Sequence, residues 1–264
     1  MNNKYSLPKD GGLIAKSAPR DIIHRYEKIR TNVYENEYRA VQYVADNIVR
    51  AIRNYNEAHC SNGVYDETRP FVLGLTTGRT PLGLYSELVK RHKEGQISFR
   101  NVAVFSLDEF YPIRSTEQQS RNYRIHEEFI NHIDILPENV HIPDGTIPEE
   151  RISEYCDSYE RAASRIDLMI IGVGEDGQIG FNEPGSYSRT RLVQLTYNTR
   201  KVQSGAFFGL ENTPKMAITM GIETIMRADR IILMAWGENK TQIVQKVVEG
   251  EITGQVPASY LQAH

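Results

Sequence analysis

Hydrophobic positions along the chain switch repeatedly between two periods. Val41, Val44, Ala45, Ile48, Val49 and Ile52 recur at i, i+3, i+4 spacing, which predicts a long amphipathic helix. After a loop from Cys60 to Pro70, the unbroken apolar run Phe71-Val72-Leu73-Gly74-Leu75 reads as a buried strand. It ends in Thr76-Thr77-Gly78-Arg79-Thr80-Pro81, and Leu84, Tyr85, Leu88 and Val89 then mark one face of a second helix. The alternation returns three times. Val102-Ala103-Val104-Phe105 runs into Ser106-Leu107-Asp108-Glu109, and Leu168-Met169-Ile170-Ile171 runs into Gly172-Val173-Gly174. Ile231 to Trp236 runs into Gly237-Glu238-Asn239-Lys240, followed by a helix carrying Ile243, Val244, Val247 and Val248. A further helix is expected over Ser120 to His132. Apolar strands separated by helical stretches predict an α/β fold, Rossmann-like: a doubly wound, mostly parallel sheet with helices on both faces. In such sheets ligands bind beyond the carboxyl ends of the strands, and every polar cluster above falls at one. One shared site is the expectation.

Residues 1–30 depart from this pattern. Pro8, Pro19 and the Gly11-Gly12 pair accompany scattered Lys and Arg, with little apolar periodicity before Ile22 and Ile23. They read as an N-terminal extension, either loose or packed on a partner subunit, ahead of a single domain over 31–264. Composition narrows the function classes. The 31 Lys and Arg against 34 Asp and Glu leave a net charge of −3, so the basic surplus of a nucleic-acid binder is missing. No apolar run approaches the roughly 20 residues that span a bilayer, and the N-terminus lacks a signal-peptide core. The only cysteines, Cys60 and Cys156, lie far apart and outside any metal-ligand spacing, as expected of reduced thiols in a cytoplasmic protein. A small-molecule enzyme or binder remains.

Each cluster carries a chemical reading beside a plainer one. Gly78 can take a positive φ and Pro81 suits a first helical turn, so the Thr76–Pro81 segment can hold an anion with its backbone N–H groups, aided by Arg79 and the Thr hydroxyls. It can equally be an ordinary strand-to-helix turn. Asp108 and Glu109 follow apolar residues at a strand end, where desolvation raises a carboxyl pKa toward a value useful for moving protons at carbon. Two solvated carboxylates are the plainer account. Gly172, Gly174 and Gly177 fit G-x-G-x-x-G after a strand, but Gln178-Ile179-Gly180-Phe181-Asn182-Glu183-Pro184 does not start a helix, and no acidic residue stands about 20 positions on. A polar loop presenting Asp176, Gln178, Asn182 and Glu183 fits better than a dinucleotide site, and no cofactor is expected. Lys240, at an electropositive helix start, suits a phosphate. His126 and His132, six apart, do not pair as metal ligands, and no metal is expected.

The segments Thr77-Gly78-Arg79-Thr80-Pro81-Leu82-Gly83, Phe105-Ser106-Leu107-Asp108-Glu109-Phe110, Gly174 to Pro184 and Leu261-Gln262-Ala263-His264, in this order, resemble the glucosamine-6-phosphate deaminase (isomerase) family from about residue 33 onward. The resemblance implies conversion of glucosamine 6-phosphate to fructose 6-phosphate and ammonia without a cofactor. Asp108 would move the C2 proton, while Asp176, Gln178 and Glu183 would stand at the ring-opening group. Thr77, Gly78, Arg79, Thr80 and Lys240 would hold the phosphate, with Glu109 and Gly174 in the substrate-binding set. It also implies a homo-oligomer with a small sugar phosphate as its partner. Three departures matter. Gln178 stands where the family has His, and an amide cannot be a general acid or base near neutral pH. Ala206 stands where an Arg precedes the Phe-Phe pair, here Phe207-Phe208, so Arg79 is the candidate substitute. Val193 replaces a Lys of allosteric members. Two alternatives therefore stay open: a catalytically weak or inactive sugar-phosphate binder, and an isomerase or lactonase acting on another phosphosugar.

Overall fold

A computed structural model describes residues 25–61, 64, 65, 69–186 and 188–264 of the 264-residue chain. Helix α1 (Glu37–Ala58) starts at Asn36, whose side chain accepts from the Arg39 N–H, and it buries the predicted Val41–Ile52 stripe. A minimal antiparallel pair, β1 (Cys60–Ser61) and β2 (Val64–Tyr65), precedes β3 (Phe71–Leu75) and α2 (Leu82–Lys93). Then come β4 (Val102–Ser106), β5 (Asp108–Tyr111), α3 (Arg121–Glu128), β6 (Val140–His141), α4 (Ile152–Ala162) and β7 (Leu168–Gly172). The remainder runs β8 (Arg191–Gln194), α5 (Tyr197–Gln203), β9 (Met216–Thr219), α6 (Ile222–Ile225), β10 (Ile231–Met234) and α7 (Thr241–Val248).

Five strands pair in parallel in the order β10-β7-β3-β4-β6. Alternate residues of β7 feed two cores. Leu168 and Ile170 pack with α1, α2 and α3 through Ile48, Leu84 and Ile125. Met169 and Ile171 pack with α4, α6 and α7 through Tyr159, Ile222 and Val247. Both faces are covered, as an apolar parallel sheet requires. The chain leaves β3 toward β4 and β6, then returns to β7 on the other side. The order therefore reverses between β3 and β7, where doubly wound sheets hold their ligands.

Several expectations change. Asp108 and Glu109 do not close a strand of the parallel sheet. They open β5, the edge of a second, antiparallel sheet in the order β5-β9-β8. Leu107 joins the two sheets: its N–H donates to Leu75 O at 2.9 Å and its carbonyl accepts from Met220 N at 2.7 Å. The helix expected to reach His132 stops at Glu128. Phe129 leaves helical geometry (φ −146°, ψ −61°) and puts its ring against Tyr85 and Phe99, and a 3₁₀ turn over Ile130–His132 follows. The strand ending at Trp236 closes at Met234, since the Trp236 indole instead donates to Thr80 O at 2.8 Å. Lys240 does not open the last helix but ends a 3₁₀ turn ahead of α7. Of the extension, residues 1–24 lie outside the described residues. The described remainder packs on its own chain, with Lys28 N–H on Val248 O and Nζ on Gly250 O.

One buried carboxylate ties the second core together. Glu160 of α4, 6% exposed, accepts from Thr190 N at 3.0 Å and Thr190 Oγ1 at 2.6 Å, from Thr224 Oγ1, and from Arg227. Burial opposes its charge, but the Thr190, Thr224 and Arg227 bonds outweigh that and hold its pKa down at about 2.

Candidate functional site

The carboxyl edge of the parallel sheet presents, in spatial order, the loops after β10, β7, β3 and β4. Beyond β3, Gly78 takes φ +99°, which lets the chain turn into α2. The N-cap of α2 is Pro81, with no side-chain cap bond; the Leu82 N–H bonds Arg79 O at 3.4 Å, and the Gly83 and Leu84 amides keep their capacity for an anion. Arg79 is exposed on this turn. From beneath, the buried Tyr85 hydroxyl donates to Thr76 O and fixes where the loop begins. Thr80 lies at the end of β7, its Oγ1 3.4 Å from where a Cβ on Gly172 would be. Lys240 Nζ donates to Val173 O at 3.0 Å, so it sits over the same strand end. The structure thus gathers Gly78, Thr80 and Lys240 around the reversal between β3 and β7.

After β7 the Gly-rich run forms a turn. Gly177 N–H bonds Gly174 O, Gly174 N–H bonds Gln178 O, and among the described residues no helix begins between β7 and α5. Gly174, Asp176 and Gln178 converge: a Cβ at Gly174 would lie 2.4 Å from Gln178 Cγ and 2.9 Å from Asp176 Oδ1. Asp176 Oδ1 accepts from Gln178 N–H, and Gln178 Oε1 is buried without a hydrogen-bond partner. The loop does not present all four polar residues expected of it. Asn182 is fully buried, donating to Ile179 O and Met220 O while accepting from Arg191. Glu183, 8% exposed, accepts from Thr196 N–H and Oγ1 ahead of α5. Both turn inward because the loop has to be anchored to β9 and α5 before it can carry anything outward.

Asp108 stands where the two sheets meet and is 4% exposed. A Cβ on Gly180, which has φ +58°, would come 3.2 Å from Asp108 Oδ2 and 3.1 Å from Thr219 Oγ1, so the 174–183 loop closes directly over the carboxylate. Asp108 Oδ1 lies 3.6 Å from Arg121 Nε. Burial pushes the Asp108 carboxyl above its ordinary value, and the Arg121 guanidinium pulls against that. Glu109 points the other way. Its two oxygens take Ser120 Oγ at 2.7 Å and the N–H groups of Arg121, Asn122 and Phe110 at 2.8–2.9 Å, so it anchors the start of α3. Burial still raises its pKa, the four donors opposing.

Sequence reasoning missed Arg121, Thr219 and Arg191, none of which lies at the end of a parallel strand, and took Tyr85 only as part of the apolar face of α2. The antiparallel sheet that delivers Thr219 and Arg191 pairs β9 with β8 and with β5, and β5 lies far from both in sequence. Among the described residues, no group of His, Cys, Asp and Glu is arranged to hold a metal, and no helix is long and apolar enough to cross a membrane.

Comparison with known proteins adds a lineage to this geometry. Residues 36–264 match the family described as glucosamine-6-phosphate isomerases/6-phosphogluconolactonase. A glucosamine-6-phosphate deaminase-like protein of Bacteroides thetaiotaomicron is 41% identical over 250 residues, which are 93% of this chain and 36% of that protein. The chain therefore spans about a third of that relative's length. A glucosamine-6-phosphate deaminase of Treponema denticola is 45% identical over 202 residues, 74% of each chain. Among solved structures, a monomeric glucosamine-6-phosphate deaminase superposes with a TM-score of 0.77 at 33% identity, covering 87% of this chain and 91% of that one. The 6-phosphogluconolactonase of Thermotoga maritima shares the fold, with a TM-score of 0.63 at 21% identity over 83% of this chain and 89% of its own.

Proposed function

The chain belongs to the glucosamine-6-phosphate isomerase/6-phosphogluconolactonase family, and from that premise we propose that it converts glucosamine 6-phosphate and water to fructose 6-phosphate and ammonia. The observation that carries this reading is Asp108: a buried carboxylate beside a strand-end anion loop, under the loop that carries Gln178. Thr77 to Thr80, the first amides of α2 and Lys240 would hold the phosphate and so fix the distance of the carbon chain from Asp108. In the open-chain sugar, Asp108 takes the proton from C2 and the electron pair becomes the C1=C2 bond. The proton returns to C1, O1 gains a proton, and the amine nitrogen loses one, which leaves an imine at C2. Water adds there and ammonia departs. Glu109 serves this site by anchoring α3 and does not meet the substrate.

Gln178 supports a second reading. Its amide carries no titratable nitrogen, so the residue at the position of the family's His cannot trade protons with a ring oxygen. Under the first reading, spontaneous or water-assisted opening feeds Asp108, and losing one acid/base group slows turnover by about 10²–10⁴-fold. Under the second, the site binds a sugar phosphate with little turnover, or acts on another phosphosugar. We place the protein in the cytoplasm on the reduced-thiol reading of its two cysteines. The homo-oligomer rests on the family resemblance.

The test is release of fructose 6-phosphate and ammonia from glucosamine 6-phosphate by the purified chain, with Asp108→Asn as control. Turnover that falls by about 10²-fold or more in the control upholds the proposal. Binding of glucosamine 6-phosphate without turnover selects the second reading.

A further inference from the structure

Two buried polar atoms face one another without a hydrogen bond: Asp108 Oδ1 and Arg121 Nε, 3.6 Å apart. At that separation the relation is charge against charge rather than donor to acceptor. Among the described residues the Arg121 guanidinium makes no hydrogen bond at all. Aromatic faces hold it instead, with its central carbon 4.7 Å from the Phe110 ring centre and 5.5 Å from that of Phe181. The placement of these rings is informative. Phe110 is two residues along β5 from Asp108 and so projects from the same face of the strand. Phe181 follows Gly180, the residue closed against Asp108 Oδ2. The segments that enclose the carboxylate on either side therefore also clamp the cation. A third link comes from Glu109, which accepts the Arg121 N–H at 2.9 Å and fixes the turn from which the side chain reaches back.

Of the other ionisable groups around Asp108, Glu109 is turned onto the start of α3, Glu128 is paired with Arg124, and two phenols remain. Tyr85 of α2 is kept neutral by burial and by the Glu128 and Asp108 charges; Tyr159 of α4 is kept neutral by burial and by Tyr155 and Asp108. Tyr85 gives its hydroxyl proton to Thr76 O, and Tyr159 gives its own to Ser106 O. Neither supplies a charge. A carboxyl buried at this depth, its Oδ1 without a hydrogen-bond donor, would hold its proton in the absence of a nearby cation and could not accept one from carbon. We infer that Arg121 is the positioning residue that keeps Asp108 ionised at neutral pH and so makes it a base. The kinetic consequence rests on the deaminase reading, whereas the ionisation itself does not.

The experiment compares Arg121→Met, which keeps an adaptable apolar stem between the two rings, with Arg121→Lys, which keeps the charge. Asp108 is followed by ¹³C NMR of aspartate-labelled protein, with Asp108→Asn identifying its resonance. In Arg121→Met the Asp108 midpoint moves up by about one to three pH units, and Arg121→Lys recovers most of that shift. The acid limb of kcat/KM moves with it, so loss at pH 7 is reversed in alkaline buffer, while KM for glucosamine 6-phosphate changes little. An unchanged Asp108 midpoint in Arg121→Met, or an activity loss equally deep at every pH, overturns the inference. If the wild type does not turn over, the NMR titration still decides the role of Arg121 and the failure belongs to the deaminase reading. If Arg121→Met does not fold, a midpoint in Arg121→Lys displaced by as much as three units in either direction also overturns it.

Discussion

Glu160→Gln isolates the contribution of one buried charge to the fold. In the folded chain the Glu160 carboxylate collects two bonds from Thr190, one from Thr224 and an ion pair with Arg227, and its pKa falls from 4.5 to about 2. That depression makes the ionised form about 3 kcal/mol more favourable in the folded than in the unfolded chain. Arg227 is 37% exposed, so its share is screened, and roughly 2–3 kcal/mol is the expected loss in Glu160→Gln at pH 7. The sign fixes the pH window. Because the folded pKa is depressed, the stabilisation is fully present above the unfolded value of 4.5 and fades as pH falls toward 2. Urea unfolding of both proteins at pH 7, 5, 4 and 3 reads this directly: the gap between them should be widest at pH 7 and fall to roughly half or less at pH 3. A gap of the same size at pH 7 and pH 3 refutes the reasoning, since it would show that shape and not charge makes Glu160 necessary. Glu160 touches none of the groups around Asp108, so the folded variant should keep its kcat.

Two substitutions probe the site itself. Gln178→His restores a titratable ring nitrogen at the loop over Asp108, and deaminase kcat should rise, by up to about 10²-fold if ring opening limits turnover; an unchanged rate would show that another step is limiting. Gly180→Ala forces a side chain into φ +58°, about 1–2 kcal/mol of backbone cost, with its Cβ 3.2 Å from Asp108 Oδ2 and 3.1 Å from Thr219 Oγ1. The melting temperature should fall and kcat should drop more than tenfold, and a fully active Gly180→Ala enzyme would remove this glycine from the account of the base.

Four strands of the parallel sheet were legible because their apolar runs are short and local, whereas the edge strand β6, only Val140 and His141, carries no such run. Leu73, Val104, Ile170 and Leu233 announce themselves within windows of five residues, and the loops beyond them carry the polar clusters as the topology requires. The stripe of α1 was equally plain. The antiparallel sheet was not, because its signal is distributed. Arg191 to Gln194 and Met216 to Thr219 mix polar with apolar residues, and they become strands only by pairing, β9 with both β8 and β5, and β5 looked like a tail of β4. The same non-locality hid Arg121, which is a helix-start arginine until Phe110 and Phe181 close on it from separate segments. Asp108 was found from its neighbours in sequence, yet its environment, including Gly180 and Thr219, is set entirely by tertiary contact. The inward turns of Asn182 and Glu183 followed from anchoring demands that no local pattern expresses.

Leu107 divides its two peptide groups between two sheets, giving its N–H to Leu75 in one and its carbonyl to Met220 in the other. With Asp108 as the next residue, the base is bolted at the seam, and the sheets cannot hinge apart without tearing a bond on one side of it. Domain-style breathing is thereby denied to this molecule as a way of admitting substrate. Entry and release are then expected at the rim, past the exposed Arg79 and Asp176, with the carboxylate held in place. A rate limited by product escape should accordingly respond to substitutions at those residues and to solvent viscosity, and be indifferent to changes that stiffen the sheets.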